Sequence, residues 1–236
     1  MIKKQLVGEN EHSEAMPSTA LPREEIHLAI LKRVERISHE FIEAFEFIKN
    51  FPKSVSIFGS ARFTENNPHY VHARQLAERI ASELDYAIVT GGGGGIMEAA
   101  NRGALEAKKE SVGLNITLPD KQTLNSYTTQ AITLHYFFVR KTALSFAADA
   151  YIFFPGGYGT LDELFELITL IQTKKIRRVP IILVDSGYWK NLDTFIRETL
   201  LAKEKAIDTE DLSLYEITDN DDRVIEIIKA HARTRD

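Results

Sequence analysis

The chain has 236 residues, 44% hydrophobic and 27% charged, a composition typical of globular proteins and sufficient for one sizeable α/β core. The net charge of -5 does not suggest a nucleic-acid or anionic-membrane surface, and the lack of cysteine excludes disulfides, thiolate metal sites and cysteine nucleophiles. No apolar run reaches membrane-spanning length and the N-terminus has no signal-peptide core, so we expect a soluble cytoplasmic protein.

The N-terminal region divides into a polar segment and one long amphipathic segment. Residues 1–22 are polar and aperiodic, and we interpret them as a mobile tail before a single domain at residues 23–236. In residues 23–50, apolar side chains recur every three or four positions, which predicts a helix with one apolar stripe. The stripe comprises Ile26, Ile30, Val34, Ile37, Phe41, Phe45 and Ile48. This helix either packs across the domain or forms a subunit contact.

From residue 54 onward, short apolar runs alternate with segments of helical periodicity. The predicted strands span residues 55–58, 86–89, 111–116, 132–135, 151–154, 179–184 and 214–217. The predicted helices span residues 69–84, 96–107, 137–148, 161–171, 188–201 and 219–232. This alternation predicts a Rossmann-like, doubly wound and mostly parallel α/β sheet, with the N-terminal helix as an addition. In such sheets the ligand site lies beyond the carboxyl ends of the strands, near a switch point.

Three predicted strands end in turns that contain glycine, and in a parallel sheet all three turns lie at one edge of the molecule. Each turn alone is a weak signal of a binding site, because glycines most often cluster where the backbone of a turn needs their conformational freedom. Their shared location favours a binding site. The candidates for substrate or phosphate binding in these turns are Gly59, Ser60, Gly92, Gly93, Gly94, Gly156, Gly157, Gly159 and Thr160.

The turn at residues 155–160 joins a buried strand directly to a helix. A helix N-terminus presents unpaired N–H groups and a positive dipole end, which suit a phosphate group. The glycines of this turn leave no side chains in the way, and Thr160 adds a hydroxyl donor. Asp162 and Glu163 follow at once. Acidic residues in a first helical turn often serve only the dipole, but the adjacent glycine turn favours a functional role here.

Standard nucleotide-binding templates do not fit the glycine clusters. The dinucleotide pattern Gly-x-Gly-x-x-Gly fails because Ile96 stands sixth from Gly91, and no Gly-Lys-Ser/Thr sequence occurs. A phosphate site without either template suggests a mononucleotide or a sugar phosphate. Arg140 and Lys141 lie near a predicted helix start, where cations oppose the dipole. They are either a solvated basic pair or partners of an anion.

Together these residues resemble the LOG ("lonely guy") family, whose plant members release cytokinin bases from their nucleotides. The resemblance covers residues 54–189 and rests on Pro-Gly-Gly-Tyr-Gly-Thr-Leu-Asp-Glu at 155–163, Gly-Gly-Gly-Gly-Gly-Ile-Met-Glu at 91–98, and Arg140-Lys141. The long N-terminal helix is more similar to the larger bacterial branch. Older descriptions of such proteins as lysine decarboxylases have little support in the sequence.

The resemblance implies hydrolysis of a nucleoside 5′-monophosphate, AMP or an N6-substituted relative, to free base and ribose 5-phosphate. It implies that Arg140 and Glu163 are catalytic. It also implies substrate contacts from Lys141, Gly157, Tyr158, Gly159, Thr160 and Thr169. Many relatives carry an acid in the loop after the third strand, where this chain has Lys121 with Asp120 beside it. The preference for a cytokinin precursor over plain AMP therefore stays open.

The expected partners are a small-molecule nucleotide and further copies of the chain, in a dimer or larger homo-oligomer. We expect no nucleic acid, membrane, metal or cofactor. Two alternatives stay open. A non-enzymatic carrier of nucleotides or of the molybdenum cofactor, with a similar fold, would need the phosphate-binding turns but not Glu163. A pyridoxal-phosphate decarboxylase would use Lys141 as its Schiff-base lysine.

Overall fold

The computed structural model describes residues 23–117 and 123–233, so the predicted tail at 1–22 and the loop with Asp120 and Lys121 lie outside the described residues. The described strands form a seven-stranded sheet in which every neighbouring pair is parallel. The strands are β1 Ser54–Phe58, β2 Ala87–Thr90, β3 Ser111–Ile116, β4 Gln130–Leu134, β5 Ala150–Phe153, β6 Ile181–Val184 and β7 Glu216–Thr218. Their order across the sheet is β4-β3-β2-β1-β5-β6-β7.

Helices cover both faces of this sheet. They are α1 Arg23–Ile48, α2 Pro68–Leu84, α3 Ile96–Glu106, α4 Phe137–Phe146, α5 Tyr158–Gln172, α6 Ser186–Thr194 and α7 Asp221–Arg233. A π-helical stretch, Phe195–Lys203, continues α6, and a short 3₁₀ helix, Thr209–Ser213, precedes β7. The prediction of a Rossmann-like, doubly wound α/β fold is confirmed.

Side chains of successive strand residues enter two separate apolar layers. One layer packs beneath α2, α3 and α7, and the other packs beneath α1, α4, α5 and α6. In β1, for example, Ile57 belongs to the first layer and Phe58 to the second. Because both faces are covered, the central strands read in the sequence as continuous apolar runs without polar alternation.

The helix α1 is anchored at its C-terminal half only. Ala44 and Ile48 are buried against the sheet, whereas Leu28, Leu31 and Val34 are each more than half exposed. The Glu40 carboxylate accepts hydrogen bonds from the backbone N–H groups of residues 135 and 136, which immediately precede α4. None of the helices in residues 23–117 and 123–233 is both long and apolar enough to cross a lipid bilayer.

Several element boundaries differ from the sequence prediction, and two of the differences have a local cause. The helix predicted from residue 188 begins at Ser186, because the Asp185 side chain accepts a hydrogen bond from Tyr188 N and caps the first turn. The last strand begins at Glu216 and not at residue 214, because the 3₁₀ helix runs to Ser213 and is stabilised by a capping box at Asp208.

The order of the strands places a switch point between β1 and β5. The chain builds β2, β3 and β4 outward on one side of β1, and β5, β6 and β7 outward on the other. The loops that follow β1 and β5 meet at the carboxyl edge, where Ser60 N donates to Pro155 O at 3.0 Å. In folds of this kind the crevice at the switch point is the usual ligand site.

Candidate active site

A pocket of about 530 Å³ opens at the carboxyl edge beside the switch point. It is formed by the turn after β1, the start of the glycine loop after β2, one face of α4 and the first turns of α5. The predicted site residues that line it are Gly59, Ser60, Arg140, Gly157, Tyr158, Gly159, Thr160 and Glu163. The fold thus brings residues from three separate strand ends and one further helix into a single cavity.

Glu163 lies one turn into α5 and faces the pocket with only 6% of its surface exposed. Its Oε2 atom is buried and has no hydrogen-bond partner among the described residues. Burial raises the pKa of the Glu163 carboxyl to about 7, and the positive charge of Arg140 opposes this rise only in part. At neutral pH the carboxyl is therefore close to the midpoint of its titration, where it can both accept and release a proton.

Arg140 approaches the same pocket from α4 and is also buried. Its Nε donates to Leu114 O at 2.7 Å and its Nη2 to Gly91 O at 3.4 Å. A Cβ on Gly91 would lie 2.0 Å from Nη2, so only glycine leaves room for the guanidinium. Burial lowers the pKa of Arg140 while the charge of Glu163 raises it, and a guanidinium stays protonated under such conditions. The pocket therefore contains two buried ionisable groups of opposite sign.

The first turn of α5 lines the pocket, and the N–H groups at the start of a helix have no partner within the helix. The N–H of Leu161 is the first in the helix to bond backward, to Gly157 O at 3.1 Å. The preceding N–H groups of the turn are available to a ligand. A Cβ on Gly157 or Gly159 would meet nothing within 4 Å, so packing inside the chain does not require glycine at either position. A ligand that approaches the backbone closely gives a physical reason for both glycines.

The glycine loop after β2 contributes Gly91 to the pocket lining, and Gly92, Gly93 and Gly94 lie outside that lining. Asn125 holds this loop from behind: its backbone N donates to Gly92 O at 2.8 Å and its Nδ2 to Gly93 O at 3.0 Å. Gly92 also has a φ of +70°, a left-handed conformation that favours glycine. In this structure these glycines shape the loop that surrounds Arg140.

Three more of the predicted contacts lie outside the pocket lining. Lys141 Nζ forms ion pairs with Asp162 at 2.7 Å and Glu166 at 3.4 Å. Burial tends to lower the pKa of Lys141, but the hydrogen bond to Asp162 and the nearby carboxylates raise it overall. The Gly156 carbonyl accepts a hydrogen bond from outside the pocket, and Thr169 is exposed further along α5.

Several lining residues were missed by the sequence analysis. An apolar wall consists of Phe58, Met97, Ile116, Phe137 and Leu144. Arg62 lies at the rim, is exposed, and makes no side-chain hydrogen bond or ion pair in the described part of the chain. Ile116 ends a predicted strand and Arg62 lies in the turn that follows another, and these positions at strand ends were a usable signal. Met97, Phe137 and Leu144 line the pocket because of the rotation of α3 and α4 about their axes, and sequence periodicity alone does not determine that rotation.

Metal-binding geometry is not seen in the described ranges, where no three histidine, aspartate or glutamate side chains converge closely enough to hold an ion. His72, which lies on α2, instead pairs with Asp221 at 2.7 Å.

Comparison with known protein families identifies related sequences. A family model described as possible lysine decarboxylase matches residues 97–228. The cytokinin riboside 5′-monophosphate phosphoribohydrolase LOG5 of Arabidopsis thaliana is 29% identical over 165 residues, which cover 69% of this chain and 69% of that protein. A pyrimidine/purine nucleotide 5′-monophosphate nucleosidase of Escherichia coli (strain K12) is 30% identical over 164 residues, which cover 63% of this chain and 35% of that protein.

Solved structures share the fold. The molybdenum cofactor carrier protein of Chlamydomonas reinhardtii superposes with a TM-score of 0.56 at 21% identity, covering 77% of this chain and 98% of the other. The molybdenum cofactor binding protein of Rippkaea orientalis superposes with a TM-score of 0.53 at 21% identity, covering 75% of this chain and 94% of the other. At these identities the likeness establishes the architecture and leaves the activity to the residues of the pocket.

Proposed function

The chain belongs to the LOG family, whose model carries the description possible lysine decarboxylase, and from that premise we propose that it is a hydrolase of nucleoside 5′-monophosphates. The proposed substrate is AMP or an N6-substituted adenine nucleotide, and the products are the free base and ribose 5-phosphate. The observation that carries the proposal is the Glu163 carboxyl, which is buried and faces the pocket, and whose Oε2 atom has no hydrogen-bond partner in residues 23–117 and 123–233.

The phosphate binds at the first turn of α5 in this proposal. The bare glycines admit it to the free backbone N–H groups, the Thr160 hydroxyl adds a donor, and the helix dipole favours its negative charge. Arg62 at the pocket rim supplies a full positive charge that no carboxylate of the described residues neutralises. Binding energy from the phosphate then fixes the position of the ribose over Glu163.

The reaction breaks the bond between ribose C1′ and a nitrogen of the base, and the bonding electrons leave with the base. Positive charge develops on the ribose ring, and the ionised Glu163 carboxylate stabilises it inside the pocket. Water supplies the oxygen that bonds to C1′, and its proton passes by way of Glu163 to the departing base. A pKa of about 7 suits a group that must first accept this proton and then release it.

Arg140 holds the nucleotide and polarises the leaving base in this proposal. Its guanidinium is fixed by the Leu114 carbonyl, so its remaining N–H groups have a defined direction. The apolar wall, which includes Met97 and Phe137, offers a flat aromatic base a surface to pack against. The pocket therefore has a separate region for each of the three parts of a nucleotide.

The family description raises the question of a pyridoxal-phosphate lysine. A Schiff-base lysine needs a neutral amine and therefore a lowered pKa. Burial tends to lower the pKa of Lys141, but the hydrogen bond to Asp162 and the neighbouring carboxylates raise it overall, and Lys141 does not line the pocket. The residues present do not fit that cofactor.

A non-enzymatic carrier would use the same glycine turns, and the solved carrier structures share the fold. A carrier gains nothing from a buried carboxyl without a partner, because such a group lowers stability and repels a phosphate. This favours the hydrolase.

The absence of cysteine fits a reducing compartment, and we propose a cytoplasmic location.

The test is incubation of the protein with AMP, N6-isopentenyl-AMP, GMP, CMP, UMP and adenosine, with chromatographic detection of free base. We expect base release from AMP or its N6-substituted form and far slower release from adenosine, which lacks the phosphate. Binding of the monophosphates without release of any base would favour the carrier. Equal rates with AMP and adenosine would overturn the phosphate site.

A further inference from the structure

One side chain outside the pocket contacts the phosphate-binding turn. The Tyr188 hydroxyl, on the first turn of α6, donates a hydrogen bond to Gly156 O at 2.6 Å across 32 residues of sequence. We propose that Tyr188 is a positioning residue that sets the direction of the Gly157 N–H toward the substrate phosphate. This inference rests on the proposed function, because it concerns the same phosphate site.

Peptide geometry connects the two groups. In a trans peptide the C=O of one residue and the N–H of the next point to opposite sides of a rigid plane. The Gly156 carbonyl and the Gly157 N–H belong to one such peptide, and Gly157 lines the pocket while Tyr188 does not. When Tyr188 holds the carbonyl on the outer side, the N–H of the same plane is directed inward.

The turn needs this support because it consists of consecutive glycines. A Cβ on Gly156 would lie 2.0 Å from Thr160 Oγ1, so no larger residue fits there, and Gly157 has open space around it. Glycine pairs have the widest backbone freedom of any dipeptide, and ordering them on ligand binding costs entropy. A hydrogen bond already present in the free protein removes part of that cost.

Tyr188 is itself held firmly enough to act as a support. Its backbone N donates to Asp185 Oδ1 at 3.1 Å, and Ser186 N donates to Asp219 Oδ1 at 2.7 Å. Trp189, the next residue, is fully buried and donates to Val184 O at 3.0 Å. Asp185 has a φ of +87°, a strained conformation for a residue other than glycine, which surrounding structure must maintain.

Packing does not explain the hydroxyl. The Tyr188 side chain is on the surface, with 40% of the residue exposed, so phenylalanine would fill the same space. Among the residues that the structure describes, the Tyr188 hydroxyl makes a single hydrogen bond, to Gly156 O. The role of the hydroxyl can therefore be tested by removing that single atom.

The experiment compares Tyr188→Phe with the parent protein. With AMP as substrate, we expect KM to rise about threefold to tenfold, the loss typical of one hydrogen bond, while kcat changes by less than about twofold. The dissociation constant of ribose 5-phosphate, measured by calorimetry, should rise by the same factor. The matched control is Tyr215→Phe, which removes a hydroxyl that donates to Asp193 on α6 at 2.7 Å and does not touch the glycine turn. This control should leave KM and the ribose 5-phosphate affinity unchanged.

The outcomes separate this inference from the proposed function. If the parent protein binds and hydrolyses AMP, and Tyr188→Phe has unchanged KM and unchanged affinity for ribose 5-phosphate, Tyr188 is not a positioning residue. If the two variants weaken binding equally, the effect is a general destabilisation of α6 and the inference also fails. If the parent protein neither binds nor hydrolyses any monophosphate, the proposed function itself fails, and the phosphate site with it.

Discussion

Replacing Glu163 by glutamine should make the protein less active and, above neutral pH, more stable. Glutamine has nearly the same shape but cannot ionise. In the parent protein the buried Glu163 carboxyl must lose its proton as the pH rises through about 7. That ionisation places an unpaired charge in a poorly hydrated pocket, which destabilises the folded state.

The size of the effect follows from the pKa. The Glu163 pKa is raised from 4.5 to about 7, so the folded state binds its proton more tightly than the unfolded state does. The stabilisation from this proton is fully present below pH 4.5 and is lost as the pH rises through about 7. From this shift, the free energy of unfolding of the parent protein should fall by about 2 to 3 kcal/mol between pH 5 and pH 9. The Glu163→Gln variant should not show this fall, because glutamine does not ionise. For a protein of this size, the variant should gain about 5 to 10 °C in melting temperature relative to the parent over that range.

The assay is thermal or urea unfolding of parent and variant at pH 5, 7 and 9, with AMP turnover measured at each pH. Asp162→Asn is the control, because Asp162 shares the same helix N-terminus but is exposed and pairs with Lys141. We expect the stability difference to grow with pH for Glu163→Gln alone, and turnover to fall about a hundredfold or more in that variant. A stability difference that stays constant with pH would show that Glu163 is not a high-pKa buried acid. Parent-like turnover in both variants would show that Glu163 is not catalytic.

Three further predictions concern the pH profile, the pocket rim and assembly. If the ionised form of Glu163 is the active one, kcat/KM for AMP should fall as the pH drops below about 7, and a profile flat from pH 5 to pH 8 would contradict this. Arg62→Ala should raise KM for AMP about tenfold with little change in kcat, and unchanged KM would remove Arg62 from the phosphate site. The exposed apolar residues of α1 predict at least a dimer by light scattering, and Leu31→Glu should shift the mass toward the monomer. A monomeric parent at micromolar concentration would refute that expectation.

The strands of the sheet could be predicted from the sequence, because the signals that mark a strand are local. The apolar run at 151–154 and the glycines after it mark a buried parallel strand and the turn that leaves it, whatever the rest of the chain does. The order of the strands was not predicted, because the general rules of α/β folds allow more than one order. The prediction that residues 23–236 form a single domain stays a prediction, and the tail at 1–22 lies outside the described residues.

The site was predictable only in part, because side-chain direction depends on contacts distant in sequence. Arg140 and Lys141 are adjacent and look equivalent in the sequence. In the structure Arg140 turns inward to the Leu114 carbonyl, whereas Lys141 turns to carboxylates on α5. Likewise, nothing local distinguishes Gly91, which borders the pocket, from Gly92, which is held by Asn125. These differences arise from the packing of α4 and of the loop before β4 against the glycine loop.

The burial of Arg140 and Glu163 is itself an argument for a ligand. Two opposite charges in one pocket would be most stable in direct contact, yet Arg140 donates to backbone carbonyls and no ion pair joins it to Glu163 in the described structure. Both groups therefore carry a desolvation cost that their mutual attraction only partly offsets. A neutral pair of similar size would fold more easily. Two separated buried charges of this kind are typical of a site that binds a third group between them. That group needs a negative part for Arg140 and a part that becomes positive during the reaction for Glu163. In the proposed reaction a nucleoside 5′-monophosphate has both parts, because the departing base takes the bonding electrons beside Arg140 and the ribose carries the positive charge beside Glu163.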